Sequence, residues 1–450
     1  MNNEIDRFLD SVCAQVRYKP AHQDIRDELA SHVMELKGEL MKEAADEATA
    51  LDLAISAMGD REEIGRRLNR QHRPQTEWPL IGLTAVIAAI GGAVMYTSGG
   101  FWTGQRLDFN WYLTYAALGI AVMTGLYFFD YTKLKRLAWP LYLLTAALLV
   151  TMELRGDTFN AMNLIVAFGR VRISFALVIV PLFLIAFAGF IDKARGKGAA
   201  AFLKLCALAA VSVFLIMTRL TLTMSALMLL TCYAVMIAAA VIRDHFGGGR
   251  KRRLIYLGAL AGGCGLMTAR AFLSNPFMMQ RFGLWASGVA TGNWAEPNGA
   301  GYMSVMAGKW LAASNLFGAT AEKIGVPGFE RLMPNVTTDY ALVNVIATLG
   351  WAAGILLMLA AAAYIIRMFA TAAKIRNGYG FYLSLAACAI LAVQFITGIL
   401  VNLNLLPPSG VYIPFVSYGG AGYIVSMALV GLILSAWRRN KLILTQGLPI

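Results

Sequence analysis

Apolar residues along the chain fall into two regimes. Up to residue 74 they recur every three or four positions among charged side chains; from Trp78 onward they fuse into long runs. The first regime predicts short amphipathic helices. Helical spacing is clear in IDRFLDSVCAQV and DIRDELASHVMELKGELM. A third helix is expected over DEATALDLAISAMGD with Gly59 as its stop, and a fourth over REEIGRRLNRQ, ending before Pro74. Residues 1–74 are therefore expected to form a small cytosolic helical domain, too short for a large core. The second regime predicts membrane spans, since a helix needs about 20 apolar residues to cross a bilayer. Ten are expected, near 79–97, 111–129, 137–152, 174–191, 205–218, 222–242, 255–274, 340–366, 381–402 and 415–437, the fifth being short. The fold class that follows is all-α: a polytopic membrane protein of about ten transmembrane helices over residues 78–450, behind a soluble helical domain.

One connection stands apart. The outer loop 275–338 is long, low in charge and rich in aromatic residues, among them Trp285, Trp294 and Trp310. Loops of that length are functional or disordered, and its composition argues against disorder.

Composition supports this partition. The chain is 58% hydrophobic and 14% charged, where soluble domains carry roughly 25% charged residues. The net charge is +13, but its distribution is uneven. Residues 1–77 are net −5 and the remainder is net +18. A basic surplus within the membrane body points to anionic lipid or phosphate contacts and to the inside-positive bias, not to nucleic acid. Most of those bases fall in the short segments 130–136, 192–204, 243–254 and 367–380 and in the tail after 437. That pattern predicts an even number of spans with both termini cytoplasmic. The polar, acidic N-terminus shows no secretory signal. The cysteines, Cys13, Cys206, Cys232, Cys264 and Cys388, lack metal spacing and are expected to be small buried hydrophobes.

Candidate chemistry is sparse. His22, His32, His72 and His245 all fall in segments assigned to the cytoplasm, and no Walker loop, dinucleotide fingerprint, zinc spacing or nucleophile elbow appears. Of the outer carboxylates, Asp108, Glu153, Asp157, Glu296, Glu322, Glu330 and Asp339, only Asp339 abuts a span within the long loop. It directly precedes Tyr340–Ile366, a run without a charged side chain. Capping explains it as well as catalysis does. Thr337 and Thr338 are good N-cap residues, and an acid in the first turn gains roughly 0.3–1 kcal/mol from the helix dipole. Such an aspartate stays ionised at neutral pH, as a weak base. Near the same face lie Arg170, Arg172, Arg270, Arg281 and Lys309. Arginine binds phosphate bidentately, although any one of these side chains could simply snorkel to headgroups.

The C-terminal stretch NLLPPSGVYIPFVSYGGAGYIVSMALVGLILS carries a resemblance. Leu406-Pro407, Gly410 and the block Pro414, Phe415, Val416, Ser417, Tyr418, Gly419 and Gly420 resemble the C-terminal signature of the SEDS family (shape, elongation, division and sporulation). GAGYMSVMAGKWLAASNLFG and MPNVTTDY are similar to two of its loop segments, the second of which carries the family's essential aspartate. Residues 1–74 would then be a helical prefix domain. The resemblance implies a peptidoglycan glycosyltransferase that polymerises lipid II at the outer face of the bacterial cytoplasmic membrane, beside a class B penicillin-binding protein. It implies Asp339 as the catalytic residue, with Arg170, Arg172, Arg281 and Lys309 at family positions. A divalent cation could assist the phosphates, but no dedicated site for one is visible. The family's Gln-Pro-Ser-Glu, its Pro-Asp-Leu-Gly-Thr and its span-eight glutamate are missing, so this is a divergent member. A lipid II flippase or other transporter, and an inactive scaffold of a cell-wall synthesis complex, are the competing readings.

Overall fold

The computed structural model describes residues 2–16, 19, 22–41, 46–71, 76–98, 109–154, 166–168, 171–173, 175–218, 222–291, 301–320, 333 and 335–440. The chain divides into a first unit built on Met1–Thr76 and a second running Glu77–Ala436.

The first unit holds the helices expected of it: α1 (Asn2–Ala14), α2 (His22–Leu40), α3 (Glu47–Met58) and α4 (Arg61–Gln71). Their apolar stripes meet in a core of Phe8, Leu9, Val12, Val33, Leu51 and Ile55. Asp46 caps α3 by accepting from the Thr49 N–H at 2.9 Å, and Gly59, at φ +94°, ends it. A Lys37–Glu47 ion pair of 2.5 Å links α2 to α3.

The second unit is a bundle of α5 (Trp78–Thr97), α6 (Phe109–Phe128), the short α7 (Thr132–Arg136), α8 (Ala138–Leu154), α9 (Phe175–Lys193), α10 (Gly198–Met217), α11 (Thr223–Ile242) and α12 (Gly249–Leu273). It continues with α13 (Pro276–Thr291), α14 (Tyr302–Ala313), α15 (Ala341–Leu349), α16 (Trp351–Ala373), α17 (Gly378–Asn402) and α18 (Gly420–Arg438). Among the described residues, eight helices are long and apolar enough to cross a membrane: α5, α6, α10, α11, α12, α16, α17 and α18. Helix α8, with a shorter apolar stretch, and α9 occupy the other two expected spans. The fifth expected span is not short; α10 runs 20 residues. Besides helices, the described residues include one antiparallel hairpin, β1 (Val166–Phe168) with β2 (Val171–Ile173), in which Ala167 faces Arg172.

Helices α17 and α18 are buried over most of their length, whereas α6 and α12 turn Leu113, Leu118, Ile120, Leu254, Ile255 and Leu266 outward. Outward apolar faces are what a hydrocarbon solvent selects. One buried charge in this unit is matched by an opposite one. Glu77, 4% exposed, accepts from Arg367 Nε at 2.6 Å and Thr371 Oγ1 at 3.2 Å, tying the start of α5 to α16 as a buried carboxylate requires.

The expected span 340–366 is interrupted. It breaks at Gly350 (φ +94°) into a nine-residue helix, α15, and the long α16. The break exists because another backbone crosses there. Gly318 N–H donates to Leu349 O at 3.1 Å and Thr320 N–H to Ala347 O at 2.9 Å. In return Trp351 N–H donates to Asn315 O at 2.9 Å and Ala352 N–H to Leu316 O at 3.0 Å. Peptide groups freed by the break are thus satisfied inside the protein, the condition for irregular backbone at membrane depth. A run without charges is compatible with a continuous helix or a broken one; the glycine and its crossing loop decide. The last expected span also shortens, to α18, because Pro414–Gly419 forms a turn and not a helix.

A methyl group at Gly350 would meet Leu316 O at 2.6 Å, at a φ that only glycine adopts freely. Gly350→Ala is therefore expected to destabilise by about 1–3 kcal/mol, read as a lower midpoint of thermal unfolding in detergent. Gly258→Ala on α12, where an added methyl meets nothing within 4 Å, should leave the midpoint level or raise it.

Candidate active site

Asp339 lies in the turn 335–340 that leads into α15. Asn335 sets this turn. Its φ is +58°, a conformation asparagine tolerates better than most residues. Its carbonyl accepts from the N–H groups of Thr338, Asp339 and Tyr340 at 3.1, 2.9 and 3.2 Å. The N-cap of α15 is Tyr340, without a side-chain cap of its own. The threonines expected to cap the helix are used otherwise, and Asp339 is not in its first turn. Thr338 Oγ1 donates back to Asn335 O at 3.2 Å, and the carbonyls of Thr337 and Thr338 are taken by a distant segment.

That segment is the Pro-Phe-Val-Ser-Tyr-Gly-Gly block. Ser417 Oγ donates to Thr338 O at 2.6 Å and accepts from Ile413 N–H at 2.9 Å, while Tyr418 N–H donates to Thr337 O at 2.7 Å. Pro414 is buried within this turn. Phe415 sits at φ +65°, a strained state for an aromatic residue, held by ring packing against Tyr364, Phe395 and Tyr423. Gly419 O accepts from Tyr423 N–H at 2.9 Å to open α18, and Gly420 has no room for a side chain against Tyr115.

Asn402, at the end of α17 and fully buried, supplies the missing cap. Its Oδ1 accepts from Val343 N–H at 3.0 Å; its Nδ2 donates to Asp339 O at 2.8 Å and Gly398 O at 2.7 Å. On the other side, α14 closes over α15 through Trp310, Met306 and Ala307, which pack on Val336, Tyr340 and Val343.

The Asp339 side chain faces a cavity of about 1150 Å³. Its polar wall includes Asn275, Arg281, Tyr302, Asn335, Tyr340 and Gln394, and its apolar wall Leu177, Pro181, Leu222, Met228 and Ile390. Gly410, at φ +66°, leaves space beside the Asp339 carboxylate. Asn275 Nδ2 donates to Thr223 Oγ1 at 2.9 Å, joining α13 to α11 at the rim. The wall uses the first turns of α9 and α11, whereas the basic segments 192–204 and 243–254 lie at their far ends. Along α17, Gln394 is about 24 Å from the start of the helix at Gly378.

Burial raises the Asp339 carboxyl above the usual carboxylate range; the Thr338 hydrogen bond and the positive charge of Arg281 oppose it. This corrects the expectation of a dipole-stabilised weak base: desolvation dominates and makes the group more basic. The neighbouring Tyr340 hydroxyl is also raised, by burial and then by Asp339, with Arg281 opposing, so it stays protonated.

The expected basic cluster assembles only in part. Arg281, on α13, lines the cavity with Asp339. Arg270 instead stacks over the Phe214 ring at 5.0 Å, and Lys309 lies on the exposed side of α14, outside the cavity wall. Arg172 is placed only by its strand, and Arg170 lies outside the described residues. Asn335, Gln394, Asn402 and Ser409 were not singled out from sequence. The one signal for Asn402 was a carboxamide closing an otherwise apolar run, in GILVNLNLL.

A family model described as cell cycle protein, covering the FtsW, RodA and SpoVE group, matches residues 78–442. The chain is 22% identical over 377 residues to stage V sporulation protein E of Bacillus subtilis, across 80% of this chain and 97% of that protein. It is 25% identical to a probable peptidoglycan glycosyltransferase FtsW of Hahella chejuensis, across 79% and 88% respectively. Its fold is similar to a chain from a solved peptidoglycan synthase complex that coordinates polymerization and crosslinking. That match has a TM-score of 0.60 and 19% identity, and covers 81% of this chain and 98% of that one. It is likewise similar to rod shape determining protein RodA of Thermus thermophilus, with a TM-score of 0.53, 19% identity, and coverage of 81% and 97%.

Asn402→Ala leaves a buried N–H and a buried carbonyl unmet, which costs about 1–3 kcal/mol for each such group, so it should lower the thermal midpoint by several degrees. Asp339→Asn, which relieves a desolvated charge and keeps the backbone bonds, should leave it level or raise it. A drop equal to that of Asn402→Ala would mean that the carboxylate is structural.

Proposed function

The chain belongs to the FtsW, RodA and SpoVE family of cell cycle proteins, and from that membership we propose that it is a peptidoglycan glycosyltransferase polymerising lipid II at the outer face of the cytoplasmic membrane. The observation that carries this reading is the meeting of Asp339 and Arg281 in one part-apolar cavity, at the ends of α9 and α11 away from the basic segments. By the inside-positive rule those segments are cytoplasmic, which sets the cavity outside and both termini inside.

The chemistry follows from the residues. The apolar wall takes the polyprenyl chain. Arg281 neutralises the pyrophosphate, whose charge grows as it leaves. Asp339 accepts the proton of the attacking sugar hydroxyl. The hydroxyl oxygen bonds to the anomeric carbon of the donor as the bond from that carbon to the phosphate oxygen breaks, which inverts the centre. Pyrophosphate needs no protonating acid, so a single carboxylate suffices where glycosidases use two. A raised carboxyl suits this task, because a base is most effective with its pKa close to the working pH. Among the described residues no group of three histidine, cysteine or carboxylate side chains converges. A class B penicillin-binding protein as partner is supported by the likeness to a chain of a polymerising and crosslinking complex.

The break at Gly350 favours a second reading, transport of the lipid, since transporters place broken helices at their substrate sites. The gap at Gly350 is filled by the backbone of residues 315–320, however, and the charged pair lies beside the other end of α15. Polymerisation is therefore preferred.

Purified protein, with its penicillin-binding partner, should make glycan chains from lipid II. Asp339→Asn should reduce the rate by about 10²–10⁴, the range of general-base catalysis; equal product from both would remove Asp339 from the mechanism, and lipid flipping without chains would favour the transporter. The pH profile gives a separate check. Activity needs the ionised carboxylate, so it falls as pH drops through a pKa above the usual carboxylate range. Arg281→Gln withdraws an opposing charge, raises Asp339 further, and should move this acid limb to higher pH. A limb that stays in place would contradict the coupling.

A further inference from the structure

The charged pair uses only part of the cavity. In the same wall three neutral side chains carry polar atoms that make no close hydrogen bond among the described residues: Gln394 Oε1, on α17, Ser409 Oγ, just past Pro407-Pro408, and the Tyr412 hydroxyl, which lies beside the Gln394 carboxamide. Gln394 is 3% exposed and Ser409 8%. The buried hydroxyl of Tyr340, beside Asp339, also lacks a partner among those residues. Buried polar atoms in native proteins are nearly always met, and four unmet ones sharing one cavity point to a ligand that meets them.

Their chemistry restricts that ligand. Gln394 Oε1 can only accept, so it repels a phosphate oxygen and selects an N–H or O–H. A serine hydroxyl can donate to a carbonyl, and Tyr340 adds a second donor. An acceptor with adjacent donors complements a neutral amide, whose N–H and C=O it would bind together. Arg281 supplies the cationic lining of the same cavity.

We propose that Gln394 and Ser409, assisted by Tyr340, form a recognition site for the acetamido group of an amino sugar, and that they act as positioning residues holding the reacting ring against Asp339. This rests on the reading of the protein as a polymerase of a lipid-linked amino sugar. A site that only shapes the fold would not discriminate between substrates, whereas an acetamido site must.

The test compares lipid II with an analogue whose acetamido groups are replaced by hydroxyls, using the full-length protein in liposomes. Wild type should prefer lipid II in kcat/KM by about tenfold, the scale of one net hydrogen bond to a neutral group. Gln394→Leu and Ser409→Ala should lose most of that preference through a raised KM, with kcat nearly intact, and Gln394→Asn should recover part of it. Thermal midpoints confirm that the variants fold. Unchanged KM and unchanged preference, with a raised midpoint, would mean that buried water meets these atoms, and would overturn the proposal. If wild type forms no polymer, binding of the two lipids without turnover decides instead. Preferential binding of lipid II that the variants lose would sustain the recognition site while the polymerase reading falls. Equal binding would sink both.

Discussion

A carboxylate can be held at a membrane boundary only if the backbone around it is satisfied without water. Here that condition is met from a distance. The turn 335–340 has one internal hub, the Asn335 carbonyl, and its remaining groups are bound by Asn402 from the end of α17 and by Ser417 and Tyr418 from the turn before α18. Remove those bonds and Asp339 has no fixed position. The Pro-Phe-Val-Ser-Tyr-Gly-Gly block carries no charge and takes no part in the proposed chemistry. Its work is to hold Thr337 and Thr338, and through them the acid next in sequence.

The same construction sets the electrostatics. Tucking the turn against α14, α15 and α17 desolvates the carboxyl and raises it, while Arg281 arrives on a separate helix, α13, and restrains the shift. Position and the main part of the shift thus come from the same packing, and Arg281 restrains that shift from a separate element. The cavity that both residues face has polar and apolar side chains in its wall, a mixture matching a substrate with a long hydrocarbon chain and a phosphorylated sugar. Short α15 belongs to this arrangement. Gly350 lets it end where the 315–320 backbone crosses, while its N-terminus, set by the turn 335–340, meets the cavity.

Much of the fold was legible because the bilayer imposes a strong pattern. The helices of the first unit are all present, a helix stands at each expected span with 340–366 broken in two, and Gly59 ends α3 as its position suggested. Asp339 could be singled out by exclusion, being the acid next to an expected span in the long loop, and it lines the cavity. The misses have physical causes. Charge-free sequence does not reveal a break that depends on a crossing strand of backbone, so 340–366 read as one helix. Thr337 and Thr338 have the right chemistry for caps, but their carbonyls were claimed by residues some 80 positions away, and Asn402 capped α15 in their place. Charge alone also overstated the basic cluster. Arg270 found an aromatic ring and Lys309 an exposed face, and only contacts between helices could distinguish them from Arg281.

The central claim is that Asp339 and Arg281 address the same bound lipid, one at its reacting hydroxyl and the other at its phosphates. A structure of the Asp339→Asn protein in a lipid nanodisc, with lipid II bound, measures this most directly. The account predicts a phosphate oxygen within about 3 Å of the Arg281 guanidinium, and a sugar hydroxyl within hydrogen-bonding distance of residue 339. Lipid II seated elsewhere on the bundle, or with its phosphates remote from Arg281, would contradict it.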